Sequence, residues 1–323
     1  MQGSLFMTVP RVVSLETASL PVTLKRPAAP HEWIDHATTP ADEVVVRLAG
    51  ARVALVNKTV LSAAILEKLP ELRMVSVSAT GTDNVDLATC RARGIVVSNV
   101  RGYAADTVPE HALMLMMALR RNLLAYVDDV RSGRWSRAAS FGLFDRPVAD
   151  LCGATLTVVG RGSLGDGLIR RAEALGMRVV LAERKGASQV RDGYMAFHDA
   201  LRVADVVSLH CPLNAETRLL MGAAEFACMQ PTAVLINTAR GGLVDEPALA
   251  EALRSGRIAG AATDVLSQEP PPPGHPLLAP DIPNLIITPH MAWSSRAAIQ
   301  RLADSAVDNI DAYLRGEPIN RVA

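Results

Sequence analysis

Residues 154–185 read ATLTVVGRGSLGDGLIRRAEALGMRVVLAERK. The apolar, β-branched run Leu156 to Val159 predicts a strand buried on both faces, the pattern of a parallel sheet covered by helices. The run ends in Gly160-Arg161-Gly162-Ser163-Leu164-Gly165, passes into a helical stretch from Leu164 to Leu175, and is followed by a second buried run, Arg178 to Ala182. In a nucleotide-binding βαβ unit each part has a mechanical task. Gly160 permits the tight turn, Gly162 lets the backbone approach a pyrophosphate, and Gly165 lets the helix pack closely on the strand. The first amides of the helix have no acceptor within it and face the phosphates. Glu183 falls about 20 residues beyond the glycines, where such a unit carries its ribose-binding carboxylate. A glycine turn alone often just joins two elements. With the strand, the helix and the acid around it, dinucleotide binding is the stronger reading.

Outward from this unit, the 323 residues suggest about two domains. Hydrophobic residues make up 49% and aromatics 4%, so the cores are built chiefly from aliphatic side chains. Lys plus Arg and Asp plus Glu balance at 33 each, which argues against a general nucleic-acid or membrane-surface role but leaves room for a local basic pocket. Cys90, Cys152, Cys211 and Cys228 are scattered, with no zinc-type spacing, and read as structural thiols of a reducing compartment. The opening MQGSLFMTVPRVV lacks the architecture of a secretory signal, and no apolar run reaches spanning length, so a cytoplasmic location is expected.

Upstream, the runs Val12 to Leu15, Val53 to Val56, Val75 to Val77 and Ile95 to Val97 alternate with helical patterns at Ala41 to Leu48, Leu61 to Leu69 and Asp86 to Arg93. That alternation predicts a smaller α/β domain over residues 1–102, completed by the amphipathic stretch Ser294 to Leu314 returning from the end of the chain. Its Thr80-Gly81-Thr82-Asp83-Asn84 segment reads equally as a turn or a ligand loop. Thr107 to Glu110 fits a capping box at the start of a single apolar helix running from His111 to Leu124. That helix's broad apolar surface reads either as a helix between two domains or, slightly favoured, as one that partly meets a second subunit. Residues 103–294 then form the dinucleotide domain, and residues 1–102 plus 295–323 the substrate domain. The Pro270 to Pro273 run reads as a rigid spacer.

Within the larger domain, four further strands end in polar residues. Val206 to Leu209 leads to His210-Cys211-Pro212, and Ala233 to Ile236 to Asn237-Thr238-Ala239-Arg240. Ile258 to Ala262 leads to Thr263-Asp264 with Gln268-Glu269 beyond, and Leu285 to Ile287 to Thr288-Pro289-His290. Ligands of open parallel sheets sit beyond the carboxyl ends of the strands. Singly, Arg240 reads as a solvated arginine, His290 as a satisfied histidine and Glu269 as a loop cap. Together on one edge, they suit hydride transfer to a 2-oxo acid. Arginine clamps the carboxylate and polarises the carbonyl, histidine exchanges the proton, and Glu269 favours its protonated form. Asp264 suits holding the nicotinamide or its amide. No metal is required.

The segments ATGTDNVDL (79–87), VVGRGSLG (158–165), HCPLNAETRLLM (210–221), INTARGGLVDE (236–246), ATDVLSQEP (262–270) and TPHMAWSS (288–295) occur in the order found in D-isomer-specific 2-hydroxyacid dehydrogenases, and the chain resembles that family from about residue 45 to 315. The resemblance implies a Rossmann dinucleotide domain, a smaller flavodoxin-like substrate domain, and a cleft between them with hinges near residues 100 and 294. By it, Arg240 corresponds to the substrate arginine, His290 to the acid/base and Glu269 to its partner, with Thr80 and Gly81 offering amides to the substrate. Thr107, Ser163, Leu164, Glu183, His210, Pro212, Thr217, Thr238, Ala239 and Asp264 correspond to cofactor positions. A homodimer through the cofactor domain is also implied.

The wording ATGTDNVD, LAERKG and HMAWSS is most similar to glycerate dehydrogenases, which reduce hydroxypyruvate and often glyoxylate. Arg101 and Pro109 depart from the expected pattern near the first crossing between domains. Glu183 favours NAD, and NAD is the expected cofactor, although Arg184 and Lys185 directly follow it and are placed to accept the 2′-phosphate of NADP. Asn57, Lys58, Trp135 and Trp293 are candidates for lining the substrate pocket. Two rivals to a hydroxypyruvate or glyoxylate reductase are phosphoglycerate dehydrogenase and a non-catalytic NAD(H)-sensing module of the corepressor type.

Overall fold

The computed structural model describes residues 9–323; the first part of the N-terminal segment read above for a signal lies outside the described residues. The chain divides into two compact units, one running to Ala104 and resuming over Ser294–Ala323, the other spanning Ala105–Trp293.

The first unit holds β1 (Arg11–Ser14), β2 (Glu32–Asp35), α1 (Val44–Arg47), β3 (Val53–Val56), α2 (Ala63–Glu67), β4 (Met74–Val77), α3 (Leu87–Ala92) and β5 (Val96–Ser98). Its five strands are parallel, in the order β2-β1-β3-β4-β5, which is the flavodoxin-like winding. Valines fill β3, β4 and β5 and lie buried among Leu15, Leu48, Leu66 and Leu72. β2 has no counterpart in the hydrophobic pattern. Its EWID sequence is an edge strand with exposed ends, so little apolar surface marks it. On the opposite face lies the C-terminal helix Arg296–Leu314, capped by Ser295, whose hydroxyl accepts from Ala298 N. Buried polar groups fix its register, for Ser76 Oγ donates to Ala306 O at 2.8 Å and Asn309 Nδ2 to Asn99 O at 3.0 Å.

The second unit contains α4 (Thr107–Arg120), α5 (Leu123–Arg131), β6 (Thr155–Val159), α6 (Ser163–Ala174), β7 (Arg178–Ala182), β8 (Tyr194–Met195), α7 (Phe197–Arg202), β9 (Val206–Leu209), α8 (Ala223–Cys228), β10 (Val234–Asn237), α9 (Glu246–Arg254), β11 (Gly260–Thr263) and β12 (Leu285–Ile287). Its seven parallel strands run β12-β11-β10-β9-β6-β7-β8, a doubly wound Rossmann order extended by one strand. Successive residues of each strand serve opposite cores. Leu156 and Val158 pack with Leu115, Met116 and Leu168 on one face, while Val159 packs with Leu201, Val207 and Leu235 on the other. Each such fully buried aliphatic side chain contributes about 1.5–3 kcal/mol. Both units are therefore α/β folds built on parallel sheets.

Two local expectations need correction. The apolar helix after Asp106 is two helices, because Asn122 adopts a left-handed conformation (φ 49°) and its side chain turns to Pro147 O. The capping box at Thr107 does not form. Asp106 is the N-cap without a side-chain bond, and the Thr107 hydroxyl donates instead to Ala292 O at 3.2 Å. Pro109 sits buried in the first turn of α4, against Gly167 of α6, where a Cβ would lie 2.7 Å from the proline ring.

Candidate active site

Strand register brings the polar residues of the second unit onto one edge. Val159 pairs with Ala182 and Leu209, Leu209 with Asn237, Asn237 with Thr263, and Thr263 with Ile287. The residues that follow therefore leave the sheet side by side: Glu183, Gly160, His210, Thr238, Asp264 and Thr288. The winding reverses between β6 and β9, so the glycine turn and His210 flank the switch point.

Gly160 has φ 95°, and a Cβ there would lie 2.6 Å from Cys211 N, so the turn admits no side chain. At Gly165 a Cβ would lie 2.6 Å from Gly160 O, the close helix–strand approach. A Cβ at Gly162 would meet nothing within 4 Å; this N-cap offers no side chain to the first amides of α6, and Ser163 and Leu164 open the helix beside it. The edge also holds an orphan. Thr238 Oγ1 is buried without any hydrogen-bond partner. A buried hydroxyl left unpaired costs about 1–3 kcal/mol, so a polar ligand group at this point is energetically favoured. Free helix-start amides, a glycine cradle and an unpaired hydroxyl fit a bound dinucleotide.

The acid/base candidates meet directly. His290 Nδ1 lies 2.5 Å from Glu269 Oε2, and Glu269 Oε1 accepts from Leu266 N at 2.9 Å. The His290 backbone is left-handed (φ 53°), a conformation seldom adopted by a non-glycine residue unless its surroundings enforce it. Asp264 supplies much of that enforcement. Its backbone carbonyl accepts from His290 N at 2.8 Å, and its buried carboxylate accepts from Met291 N at 2.9 Å and Ala292 N at 2.8 Å. The Thr288 hydroxyl also donates to Asp264, at 2.5 Å, which leaves His111 Nε2 to donate to Thr288 Oγ1 at 3.0 Å. Desolvation lowers the His111 pKa against the pull of Asp264, so a neutral imidazole suits this network. Asp264 is thus already bound to the loop that carries His290, and His111 is a supporting residue that strand-end reasoning missed. It stands on α4, far from any motif, and only its contact with Asp264 gives it away.

Arg240 follows β10 with its side chain half-buried, Nη1 donating to Ala239 O at 2.8 Å. Asn237 braces this turn by donating to Arg240 O at 3.0 Å and accepting from Ala239 N at 3.1 Å. The next residue, Gly241, touches the loop of Glu269: a Cβ would lie 1.9 Å from Leu266 C and 2.2 Å from Ser267 N. The arginine turn and the Glu269–His290 pair are therefore joined through backbone contact, with Gly241 as the residue that permits it.

The remaining cofactor candidates lie on the same edge or beside it. His210 Nε2 meets Ser208 Oγ at 2.9 Å, and desolvation pushes its pKa down to about 4, which keeps the ring neutral near pH 7. Thr217 donates to Pro212 O at 2.7 Å and closes the turn after β9. Glu183 behaves otherwise than a free ribose acceptor would. Both its oxygens are engaged, by Arg191 and by the amides of Arg184 and Arg191. Lys185 is bound to Glu225 at 2.9 Å, whereas Arg184 is exposed.

Trp293 donates to His290 O at 3.0 Å, and Trp135 to Phe141 O at 2.9 Å. In the first unit, Thr80 follows β4 and donates its hydroxyl to Val100 O at 2.8 Å, with Gly81 next to it. The Asn57–Lys58 turn of that unit is held by the Glu16 carboxylate, which accepts from both amides.

Residues 113–292 match the family model of the D-isomer-specific 2-hydroxyacid dehydrogenase NAD-binding domain. The glycerate dehydrogenase of Methylorubrum extorquens is 46% identical over 313 residues, covering 97% of this chain and 98% of that protein. The chain belongs to the D-isomer-specific 2-hydroxyacid dehydrogenases. As a member of that family it is an NAD(P)-dependent oxidoreductase acting on CH–OH groups. Among solved structures, a Thermus thermophilus protein superposes with TM-score 0.83 at 35% identity, over 97% of this chain and 100% of that one. The NADPH-dependent glyoxylate/hydroxypyruvate reductase of Sinorhizobium meliloti, in complex with citrate, gives TM-score 0.81 at 30% identity, over 97% and 98%. Among the described residues, no helix is long and apolar enough to cross a membrane.

Proposed function

We propose that this dehydrogenase reduces a small 2-oxo acid, with hydroxypyruvate and glyoxylate favoured, and that chiral products are the D-2-hydroxy acids. The observation that carries the catalytic reading is the 2.5 Å contact between His290 and Glu269 at the strand edge beside Arg240. The likeness to a glycerate dehydrogenase and to a glyoxylate/hydroxypyruvate reductase supports the substrate class.

Arg240 presents a planar fork of donors that holds the substrate carboxylate by two parallel charge-assisted bonds and polarises the neighbouring oxo group. His290 protonates the oxo oxygen at one ring nitrogen while Glu269 holds Nδ1, and it takes the proton back in the oxidative direction. Glu269 stabilises the imidazolium and fixes the ring's orientation. By the family likeness, Thr80 and Gly81 are further candidate backbone donors to the substrate. The glycine turn, Ser163, Leu164, Thr107, Pro212, Thr217, Thr238, Ala239 and His210 would hold the cofactor. When bound, the reduced nicotinamide supplies the hydride. Asp264, through its bonds to residues 290–292, keeps His290 in place.

The second unit also exposes a set of large apolar side chains, among them Met114, Met117, Leu123, Leu124, Phe141 and Phe144. Met114, Met117, Leu123 and Leu124 stand on the consecutive helices α4 and α5, and a homodimer through that face would cover them. Met117→Asp is expected to halve the mass seen by light scattering.

The decisive assay is a set of initial rates for hydroxypyruvate, glyoxylate, pyruvate and 3-phosphohydroxypyruvate with NADH and with NADPH. The highest kcat/KM is expected for hydroxypyruvate or glyoxylate. A preference for the phosphorylated acid would transfer the protein to the phosphoglycerate class. Nucleotide binding without turnover of any oxo acid would make it a sensing module.

A further inference from the structure

The end of β7 is built around one ion pair that neither the glycine motif nor the strand-end residues announce. Glu183 is the first residue beyond the strand and is buried to 3% exposure. Its Oε1 accepts from Arg184 N and Arg191 Nη2, both at 2.8 Å, and its Oε2 from Arg191 Nε at 2.7 Å and Arg191 N at 3.0 Å. An ionised carboxylate has about four acceptor positions, so these four donors complete it. Nothing is left for a ribose diol, which needs the same lone pairs, and the fixed guanidinium cancels the charge that would repel a phosphate there.

Around the pair stand further groups suited to an anion. The Arg191 guanidinium lies 3.8 Å above the ring of Tyr194, a stacking that holds it in one orientation. Arg161, from the glycine turn itself, is exposed and paired with Asp166 at 2.8 Å. Arg184 is exposed at the mouth of the strand, while the amine of Lys185 is committed to Glu225 and Leu220 O.

We propose that Arg191 determines the dinucleotide preference of this enzyme: by filling Glu183 it converts an NAD-type strand end into one that accepts the 2′-phosphate, with Arg161 and Arg184 as the other cations. NADPH is then bound more tightly than NADH. The inference rests on dinucleotide binding at this sheet edge and is independent of which oxo acid is reduced.

The test is titration calorimetry of the intact protein with two cofactor fragments, 2′,5′-ADP and 5′-AMP. Wild type is expected to bind 2′,5′-ADP at least tenfold more tightly. Arg191→Ala frees the carboxylate, so 2′,5′-ADP should weaken by tenfold or more while 5′-AMP holds or improves. A purely structural role for Arg191 would weaken both fragments alike, and that result overturns the assignment. Arg184→Ala alters only an exposed side chain and should reduce 2′,5′-ADP affinity severalfold without moving 5′-AMP; equal binding of both fragments by wild type and by this variant also overturns it. Failure of both fragments to bind would instead overturn the dinucleotide site itself.

Discussion

Glu183 and Glu269 are glutamates on the same edge of one sheet, and the protein uses them in opposite ways. Glu183 is 4% exposed at its side chain and carries a full set of donors, two of its four bonds coming from one guanidinium. Glu269 keeps 33% of its side chain exposed, accepts one backbone amide and meets an imidazole that is itself 25% exposed. The first arrangement is a fixed counter-ion, since no lone pair remains to exchange. The second leaves an imidazole partly open to solvent, as the proposed proton exchange requires. Burial distinguishes the two carboxylates more than residue type does.

Removing the working half should have the largest effect. His290→Ala is expected to lower kcat by about 10²–10⁴-fold with little change in KM, because proton transfer is lost while the carboxylate clamp remains. Glu269→Gln should lower kcat by less, since the amide still orients the ring. Steady-state kinetics with hydroxypyruvate and glyoxylate check both, and near-normal turnover in His290→Ala would end the acid/base assignment. Arg240→Ala comes next. Loss of one partner from a hydrogen-bonded charge pair costs about 2–5 kcal/mol, or roughly 30- to 5,000-fold in kcat/KM. Arg240→Lys should recover only part of this, because an ammonium lacks the planar fork. Full recovery by lysine would show that Arg240 acts through charge alone.

The sequence made the two sheets legible because their strands are continuous apolar runs whose alternate residues feed opposite cores. Thr155–Val159, Arg178–Ala182 and Val206–Leu209 emerge within a residue of their hydrophobic limits. The parallel order then placed Arg240, Asp264 and His290 on one edge. What the pattern could not show is anything decided by a partner distant in sequence. The edge strand Glu32–Asp35 buries too little to mark itself, and the helix break at Asn122 depends on a side-chain bond to Pro147. Likewise, the acid at the end of β7 reads as a ribose ligand until Arg191, in an exposed loop, is seen to occupy it. His111 and Gly241 escaped for the same reason, their roles resting on Asp264 and Leu266.

The smallest expected effect sharpens the comparison through acid stability. Glu183 is held down to about 2 from an ordinary value of 4.5, chiefly by the Arg191 hydrogen bonds and then by the amides of Arg184 and Arg191. The unfolded chain takes up that proton first as pH falls, so this pair stabilises the fold above pH about 4.5 and the contribution drains away towards pH about 2. His210 acts in a higher window. Desolvation lowers it from 6.5 to about 4, so the unfolded chain again binds the proton first and stability is lost between those values. Thermal melts from pH 7 downward should therefore show two successive declines. His210→Asn should shrink the upper one, and Glu183→Gln should shrink the lower one without abolishing it, since Asp129, Asp145, Asp281 and other carboxylates are also held low by their partners. If Glu183→Gln left the lower decline intact, Glu183 would not be the fixed counter-ion that its four bonds describe, and its contrast with Glu269 would collapse.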